Sequence, residues 1–144
     1  MKFFAGLNAW ALPLAAAASF IFGGIWYGVL SKQWMNAAGL TMEDINSRRG
    51  NVAHPFVVTL LCQLIMAWML AGVILHMAKG GSPATAMTGM ITAAFLWLGF
   101  VVTTQIVNHQ FQMQKASLTA IDSLHWLGVM LIQGALLGAY GIAR

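Results

Sequence analysis

The feature that most constrains this chain is a set of four long apolar segments that contain no Asp, Glu, Lys or Arg. They cover residues 9–30, 55–75, 83–107 and 123–143. A bilayer core about 30 Å thick needs roughly 20 helical residues at about 1.5 Å rise each, and every segment reaches that length. Because backbone polar groups in lipid must pair internally, we expect four transmembrane helices. The sequence thus predicts an all-α integral membrane protein, a four-helix bundle in a single domain over residues 1–144.

Composition supports this prediction and removes several classes of protein. Hydrophobic residues make up 60% of the chain and charged residues 7%, whereas about a quarter of a soluble domain is charged. The seven Lys and Arg form no basic cluster, so the lipid bilayer and not nucleic acid is the expected partner. Cys62 is the single cysteine and excludes an intrachain disulfide. The apolar run that ends at Leu30 is too long for the core of a signal peptide, so we expect it to remain as the first span.

Up-and-down threading places both termini on one side and the loops 31–54 and 108–122 on the other, which we call side B. Side B carries four Lys and Arg against three on the opposite side, a bias too small to fix the orientation. Gly39 is expected to end an extension of the first helix. Thr41 and Asp44 have the spacing of a capping box, which predicts a short extramembrane helix over residues 42–49.

Aromatic and small residues indicate how the helices sit in the membrane and against one another. Aromatic residues near the ends of the spans fit interfacial belts: Trp10, Trp26, Tyr27, Trp34 and Trp126. Close helix packing is expected at two Gly-x-x-x-Gly pairs, Gly24 with Gly28 and Gly134 with Gly138.

The fourth segment has two faces that both avoid lipid. At about 100° per residue one narrow stripe collects six side chains, namely those of Asp122, His125, Val129, Gln133, Leu136 and Tyr140. Gly134, Gly138 and Gly141 fall on the opposite face. We therefore expect this helix to be central or to lie at a subunit boundary, and a homo-oligomer is the simplest way to cover its second face.

Polar residues collect where the threading joins the ends of the spans on side B. The predicted intramembrane cluster contains Gln63, Thr104, Gln105, Asn108, His109, Asp122, His125 and Gln133. Ionisable residues at membrane depth tend to face a bundle interior, a cavity or one another. His54, His109, Asp122 and His125 supply ligand types for a divalent metal. The alternatives are a helix cap at Asp122, an Asp122–His125 proton relay and ordinary interhelical hydrogen bonds. No cofactor is strongly implied.

Several residue strings also carry a family resemblance. They are Gly23-Gly24-Ile25-Trp26-Tyr27, Lys32-Gln33-Trp34-Met35, Gly39-Leu40-Thr41, Leu96-Trp97-Leu98-Gly99-Phe100, Asn108 and His125. Over nearly its full length the chain resembles small bacterial four-helix membrane proteins grouped as a domain of unknown function. The resemblance implies the four-helix fold and a bacterial inner membrane location, and it implies no activity. Members tend to have Asn where Asp122 lies.

Three functions fit these observations. The first is a homo-oligomeric transporter or channel-like protein that moves a small solute or ion along the polar stripe. The second is an accessory subunit of a larger membrane complex, and the third is a membrane metal-binding protein or enzyme. The chain has no nucleotide loop, nucleophile elbow or zinc-protease helix, so an enzyme is the least favoured of the three.

Overall fold

The computed structural model describes residues 5–47, 50 and 53–142. In this part of the chain four helices are long and apolar enough to cross a membrane, at Ala11–Val29, Ala53–Lys79, Ala86–Phe111 and Ala116–Tyr140. We number the helical segments α1 (Ala11–Val29), α2 (Ser31–Ala38), α3 (Met42–Ser47), α4 (Ala53–Lys79), α5 (Ala86–Leu96), α6 (Val102–Phe111) and α7 (Ala116–Tyr140). The predicted all-α fold of an integral membrane protein is confirmed.

The first loop has the structure that its sequence predicts. A break at Leu30 separates α1 from α2, and α2 ends at Gly39, whose φ of 68° is the left-handed conformation that glycine adopts readily. At the start of α3 the Thr41 N–H donates to Asp44 Oδ2 at 2.8 Å, and the Asp44 N–H donates to Thr41 Oγ1 at 3.1 Å. The capping box and the short helix are thus confirmed. Residues 48, 49, 51 and 52, including the end of the predicted helix, lie outside the described residues.

The third span, Ala86–Phe111, is not one continuous α-helix. It begins with a capping box in which Thr85 and Thr88 exchange side-chain and backbone hydrogen bonds. Between α5 and α6 the chain forms a π-helical turn at Trp97–Val101, which the sequence pattern did not predict. Trp97 Nε1 donates to the Ser123 carbonyl oxygen at 2.8 Å and thereby ties this wide turn to α7.

Helix α7 is the centre of the bundle and contacts α1, α4 and α5. Its contact with α5 is the most extensive in the described chain, because glycine backbones meet there. A Cβ atom placed on Gly89 would overlap the carbonyl oxygen of Gly134, and one placed on Gly138 would overlap the carbonyl oxygen of Thr85. Both faces of α7 are therefore covered within one chain, so the glycine face does not require a second copy.

Small side chains also bring the other spans together. The buried core contains Ala11 and Ala15 of α1 with Ala67 and Ala71 of α4, each 1% exposed or less. Such residues allow close backbone approach in lipid, where the hydrophobic effect does not drive helix association. The two ends of the described chain are joined as well, since the Asn8 N–H donates to the Gly141 carbonyl oxygen at 2.8 Å.

Candidate functional site

Polar side chains on one face of α7 point into the bundle. His125 is 4% exposed, and Gln133, two turns further along, is fully buried. These two residues belong to the stripe that the sequence indicates, and each meets α1. Their surroundings differ, however, so they are described separately.

The first group contains Gln133 and joins three spans, α1, α4 and α7, through hydrogen bonds. Gln133 Nε2 donates to Ser19 Oγ at 3.0 Å and to the Gln63 carbonyl oxygen at 3.1 Å, and Ser19 Oγ donates to Gln63 Oε1 at 3.0 Å. All three side chains are at most 1% exposed. Two amide atoms, Gln63 Nε2 and Gln133 Oε1, are buried without a hydrogen-bond partner among the described residues.

The second group is centred on the Asp122 carboxylate. Asp122 Oδ1 accepts hydrogen bonds from Tyr27 Oη at 2.9 Å and from Trp34 Nε1 at 3.2 Å. Because α7 begins at Ala116 with Lys115 at its N-cap, Asp122 lies within the helix and does not cap it, so the helix-cap interpretation is wrong. The carboxylate instead fastens α1 and α2 to α7. Tyr27 and Trp34 thus turn their polar atoms towards protein.

His125 lies between these two groups and is surrounded by rings. Its imidazole is 4.7 Å from the Tyr27 ring and 5.0 Å from the Trp126 ring, measured between centroids, and it stacks on Phe22 at 6.1 Å. A Cβ atom on Gly23 would lie 2.9 Å from His125 Nε2, so the imidazole fits because residue 23 is glycine. In the described chain, His125 Nδ1 is buried without a hydrogen-bond partner.

His125 and Gln63 both line a cavity of about 490 Å³ between α1 and α4, which we call the cleft. Its lining is Phe20, Gly23, Gly24, Tyr27, Phe56, Thr59, Gln63, His125 and Trp126. Phe20 and Phe56 stand edge to face across it with ring centroids 6.3 Å apart. None of these lining residues is Asp, Glu, Lys or Arg. The cleft is thus an aromatic recess with a few polar groups, the usual composition of a small-molecule site.

The remaining predicted site residues lie elsewhere, so the structure does not form the single cluster that the sequence predicts. Gln105 Oε1 accepts from Ser123 Oγ at 2.6 Å, and His109 Nδ1 is 2.9 Å from Thr119 Oγ1; both pairs join α6 to α7. Thr104 donates to the carbonyl oxygen of Phe100 in its own helix. Asn108 and His54 are exposed. These residues have structural hydrogen bonds or face outward.

The candidate metal ligands are likewise dispersed. Within residues 5–47, 50 and 53–142, no group of three or more His, Cys, Asp and Glu side chains is placed to hold a metal ion. His54 is exposed on α4, and His109 is paired with Thr119. Asp122 and His125 both contact the Tyr27 side chain, Asp122 through a hydrogen bond and His125 through a ring contact.

The two predicted glycine pairs also differ in their surroundings. Gly134 and Gly138 pack against α5, as described above. A Cβ atom on Gly24 or Gly28, in contrast, would meet no atom of the described chain within 4 Å, apart from the helix's own backbone. Gly24 borders the cleft and Gly28 does not, although both are exposed on α1.

Sequence reasoning missed several residues of the site. Ser19 connects the two glutamines, and Gly23 makes room for His125, yet neither had a distinctive spacing. Phe20, Phe56 and Thr59 of the cleft lie within predicted spans, and no sequence pattern singles them out. A serine within an otherwise apolar span was the available signal, because a buried hydroxyl needs a partner.

Comparison with known proteins gives a family and no activity. A search of curated proteins and a search of solved structures each found no match. A family model described as "Protein of unknown function (DUF1761)" matches residues 10–138, which include all four membrane spans up to the last turn of α7. The residues that line the cleft and hold Asp122 all lie within this match. The chain therefore belongs to the DUF1761 family of proteins of unknown function.

Proposed function

We propose that this protein binds a small amphipathic molecule in the cleft between α1 and α4 and moves it between the membrane and side B, as a small-solute transporter. One observation carries the proposal: the floor of a 490 Å³ aromatic cleft holds two deeply buried side chains, Gln63 and His125, each with an unpartnered polar atom. The proposal concerns one chain and does not depend on oligomerisation.

Energetics favour a ligand at this position. A buried polar atom without a partner costs about 1–3 kcal/mol, and such atoms are rare in native structures. Here Gln63 and His125, which each carry such an atom, line one cavity whose volume falls within the usual range for small-molecule sites, about 300–1,000 Å³. A ligand that reaches both atoms offsets this cost, whereas lipid chains offer no polar group to either.

The arrangement of polar groups suggests a direction of movement. From Gln63 in the cleft, polar side chains follow one another past the His125 imidazole and the Tyr27 ring to the Asp122 carboxylate near the side B loops. The polar part of an amphipathic solute follows these groups, while the apolar part of the same solute stays against the aromatic lining of the cleft. This path replaces the sequence-based idea of a stripe on α7 alone, because α1 and α4 supply half of it.

The test blocks the cleft without disturbing the bundle. Gly24→Phe places a ring in the cleft, and Gly28→Phe places the same ring one turn away on the same open face. Proteoliposomes are measured for uptake of ethidium, a neutral coumarin and anilinonaphthalene sulfonate. We expect protein-dependent uptake of at least one solute, lost in Gly24→Phe and kept in Gly28→Phe. Uptake equal to that of empty vesicles for all three, or equally affected by both variants, would contradict the proposal.

Two further proposals concern the assembly and its membrane. We propose that copies associate, and the open Gly24–Gly28 face replaces the glycine face of α7 as the surface to examine, because α5 covers the latter. We also propose a bacterial inner membrane location, which rests on the family resemblance. Native mass spectrometry from mild detergent tests the first proposal: a monomer at all protein concentrations would contradict it, and a defined complex with other chains would favour an accessory subunit.

A further inference from the structure

We infer that the cleft recognises a neutral, lipid-soluble molecule with a planar ring that bears carbonyl oxygens, the chemistry of a quinone. This inference rests on the proposed function and specifies the substrate class of the same site. It follows from four properties of the cleft, namely its opening, its charge, its aromatic walls and its unpartnered polar atoms.

The opening of the cleft favours a molecule that arrives from lipid. Phe56 is 58% exposed and Gly24 is exposed, and these residues stand at the edge of the cleft on α4 and α1. Both helices are candidate membrane spans, so this edge faces the bilayer. A molecule that partitions into lipid reaches such a site by lateral diffusion, whereas a strongly hydrated solute does not.

The lining favours a neutral molecule. It contains no Asp, Glu, Lys or Arg, and the nearby Asp122 carboxylate already accepts two hydrogen bonds, from Tyr27 and Trp34. A buried ion needs a counter-charge or several strong hydrogen bonds. The lining supplies no Asp, Glu, Lys or Arg side chain as a counter-charge, so the cleft favours neutral head groups.

The walls favour a planar unsaturated ring. Phe20 of α1 and Phe56 of α4 meet edge to face across the cleft, and the His125 and Trp126 rings lie 5.0 Å apart at its floor. Aromatic pairs in offset-stacked or edge-to-face contact gain energy beyond that of the area they bury. A planar unsaturated ring in the cleft therefore meets aromatic partners from all three helices that line it.

The unpartnered atoms favour carbonyl oxygens. With Gln63 Oε1 assigned as the acceptor of the Ser19 hydroxyl, Gln63 Nε2 is left as a buried donor. An amide N–H accepts nothing, so its partner must be an acceptor. His125 Nδ1 is the other unpartnered buried atom among the residues that line the cleft, and in the tautomer that carries the proton on Nδ1 it donates as well. A ring with two carbonyl oxygens can accept from both donors.

A pair of matched compounds tests this chemistry. The probes are 2,3-dimethyl-1,4-naphthoquinone and 2,3-dimethylnaphthalene, which share a ring skeleton and differ in the two carbonyl groups; neither adds readily to the thiol of Cys62. Binding is measured by isothermal titration into lipid nanodiscs that contain the protein, with empty nanodiscs as the blank. We expect the naphthoquinone to bind at least about tenfold more tightly than the hydrocarbon, as two hydrogen bonds imply.

Variants locate the recognition. Gln63→Met removes the amide of a residue that lines the cleft, and Gln133→Met disrupts the same buried network at a residue that does not line it. We expect Gln63→Met to weaken naphthoquinone binding by about five- to tenfold and to leave hydrocarbon binding unchanged. Gln133→Met should retain naphthoquinone binding within about twofold. Helix content and the oligomeric state of each variant establish that it is folded.

The outcomes separate this inference from the proposed function. If both compounds bind equally and Gly24→Phe abolishes both, the cleft is a ligand site but the carbonyl chemistry is wrong. If Gly24→Phe changes neither, the cleft is not a ligand site and both proposals fail. If Gln133→Met weakens binding as much as Gln63→Met, the amide acts only through the network, and the inferred contact with a carbonyl oxygen is overturned.

Discussion

Replacing Gly89 by alanine provides the strongest test of how this bundle is held together. Gly89 lies where α5 crosses α7, and the added Cβ atom would overlap the carbonyl oxygen of Gly134. It would also lie 2.8 Å from the Gly134 carbonyl carbon and 3.1 Å from Gly138 Cα, whereas ordinary contacts of a Cβ atom begin at 3.4 Å. All of these atoms belong to the backbone, so no side-chain rotation can relieve the overlap.

The cost follows from the separation that the methyl group enforces. To bring the Cβ atom to an ordinary distance from the Gly134 carbonyl oxygen, the two helices must move apart by more than 1 Å, and a gap of about 0.5–1 Å already forfeits a quarter to a half of the dispersion energy of each contact. Overpacking of a close-packed core costs about 1–3 kcal/mol. Because the obstacle is rigid and lies in the most extensive helix contact, we expect Gly89→Ala to lower the free energy of unfolding by about 3 kcal/mol.

The matched control is Gly28→Ala on the exposed face of α1. There the new Cβ atom meets nothing within 4 Å, and replacing glycine by alanine within a helix stabilises it by up to about 1 kcal/mol. Unfolding equilibria are measured by steric trapping in bilayers. A stability difference between the two variants of about 3 kcal/mol or more, roughly a hundredfold in the equilibrium constant, is expected. Equal stabilities would refute the view that the α5–α7 contact depends on glycine.

Three further changes examine individual hydrogen bonds by the same unfolding measurement. Asp122→Leu leaves the Tyr27 and Trp34 donors without their acceptor and should lower the free energy of unfolding by about 2 kcal/mol. Asp122→Asn keeps an acceptor and should lower it by less than half as much. Equal losses in the two variants would show that the carboxylate does not anchor α2. Ser19→Ala removes the hydroxyl between the two buried glutamines and should lower the free energy of unfolding by about 1 kcal/mol. An unchanged free energy of unfolding would mean that the two amides pair with each other without the hydroxyl. Thr85→Ala removes the N-cap of α5 and should cost about 1 kcal/mol with faster amide exchange in its first turn; unchanged exchange would contradict the cap.

The local parts of the fold could be predicted from the sequence. Length and hydropathy define the four spans, since the bilayer imposes one minimum length on every helix. The Thr41–Asp44 capping box depends on residues three positions apart and was predicted correctly. These features need no knowledge of which helix packs against which.

The candidate site could be predicted only in part, because tertiary contacts decide it. The last predicted span began at residue 123, so Asp122 looked like a boundary residue, but the helix starts at Ala116 and Asp122 faces α1 and α2. Spacing alone also cannot say which glycine finds a neighbour. Gly23 meets the His125 ring, whereas Gly24 and Gly28, which form the Gly-x-x-x-Gly pair, have open space beside them.

The π-helical turn at Trp97–Val101 gives the two halves of the third span different angular phases. An α-helix advances about 100° per residue, and a π-helical turn holds one residue more than an α-helical turn. Residues of α6 are therefore rotated by about 100° from the positions that a helical wheel drawn through α5 would assign to them. Gln105 meets Ser123 of α7 in this shifted phase. A relative with one residue fewer in this turn would align along the whole span and yet present a different side chain to α7.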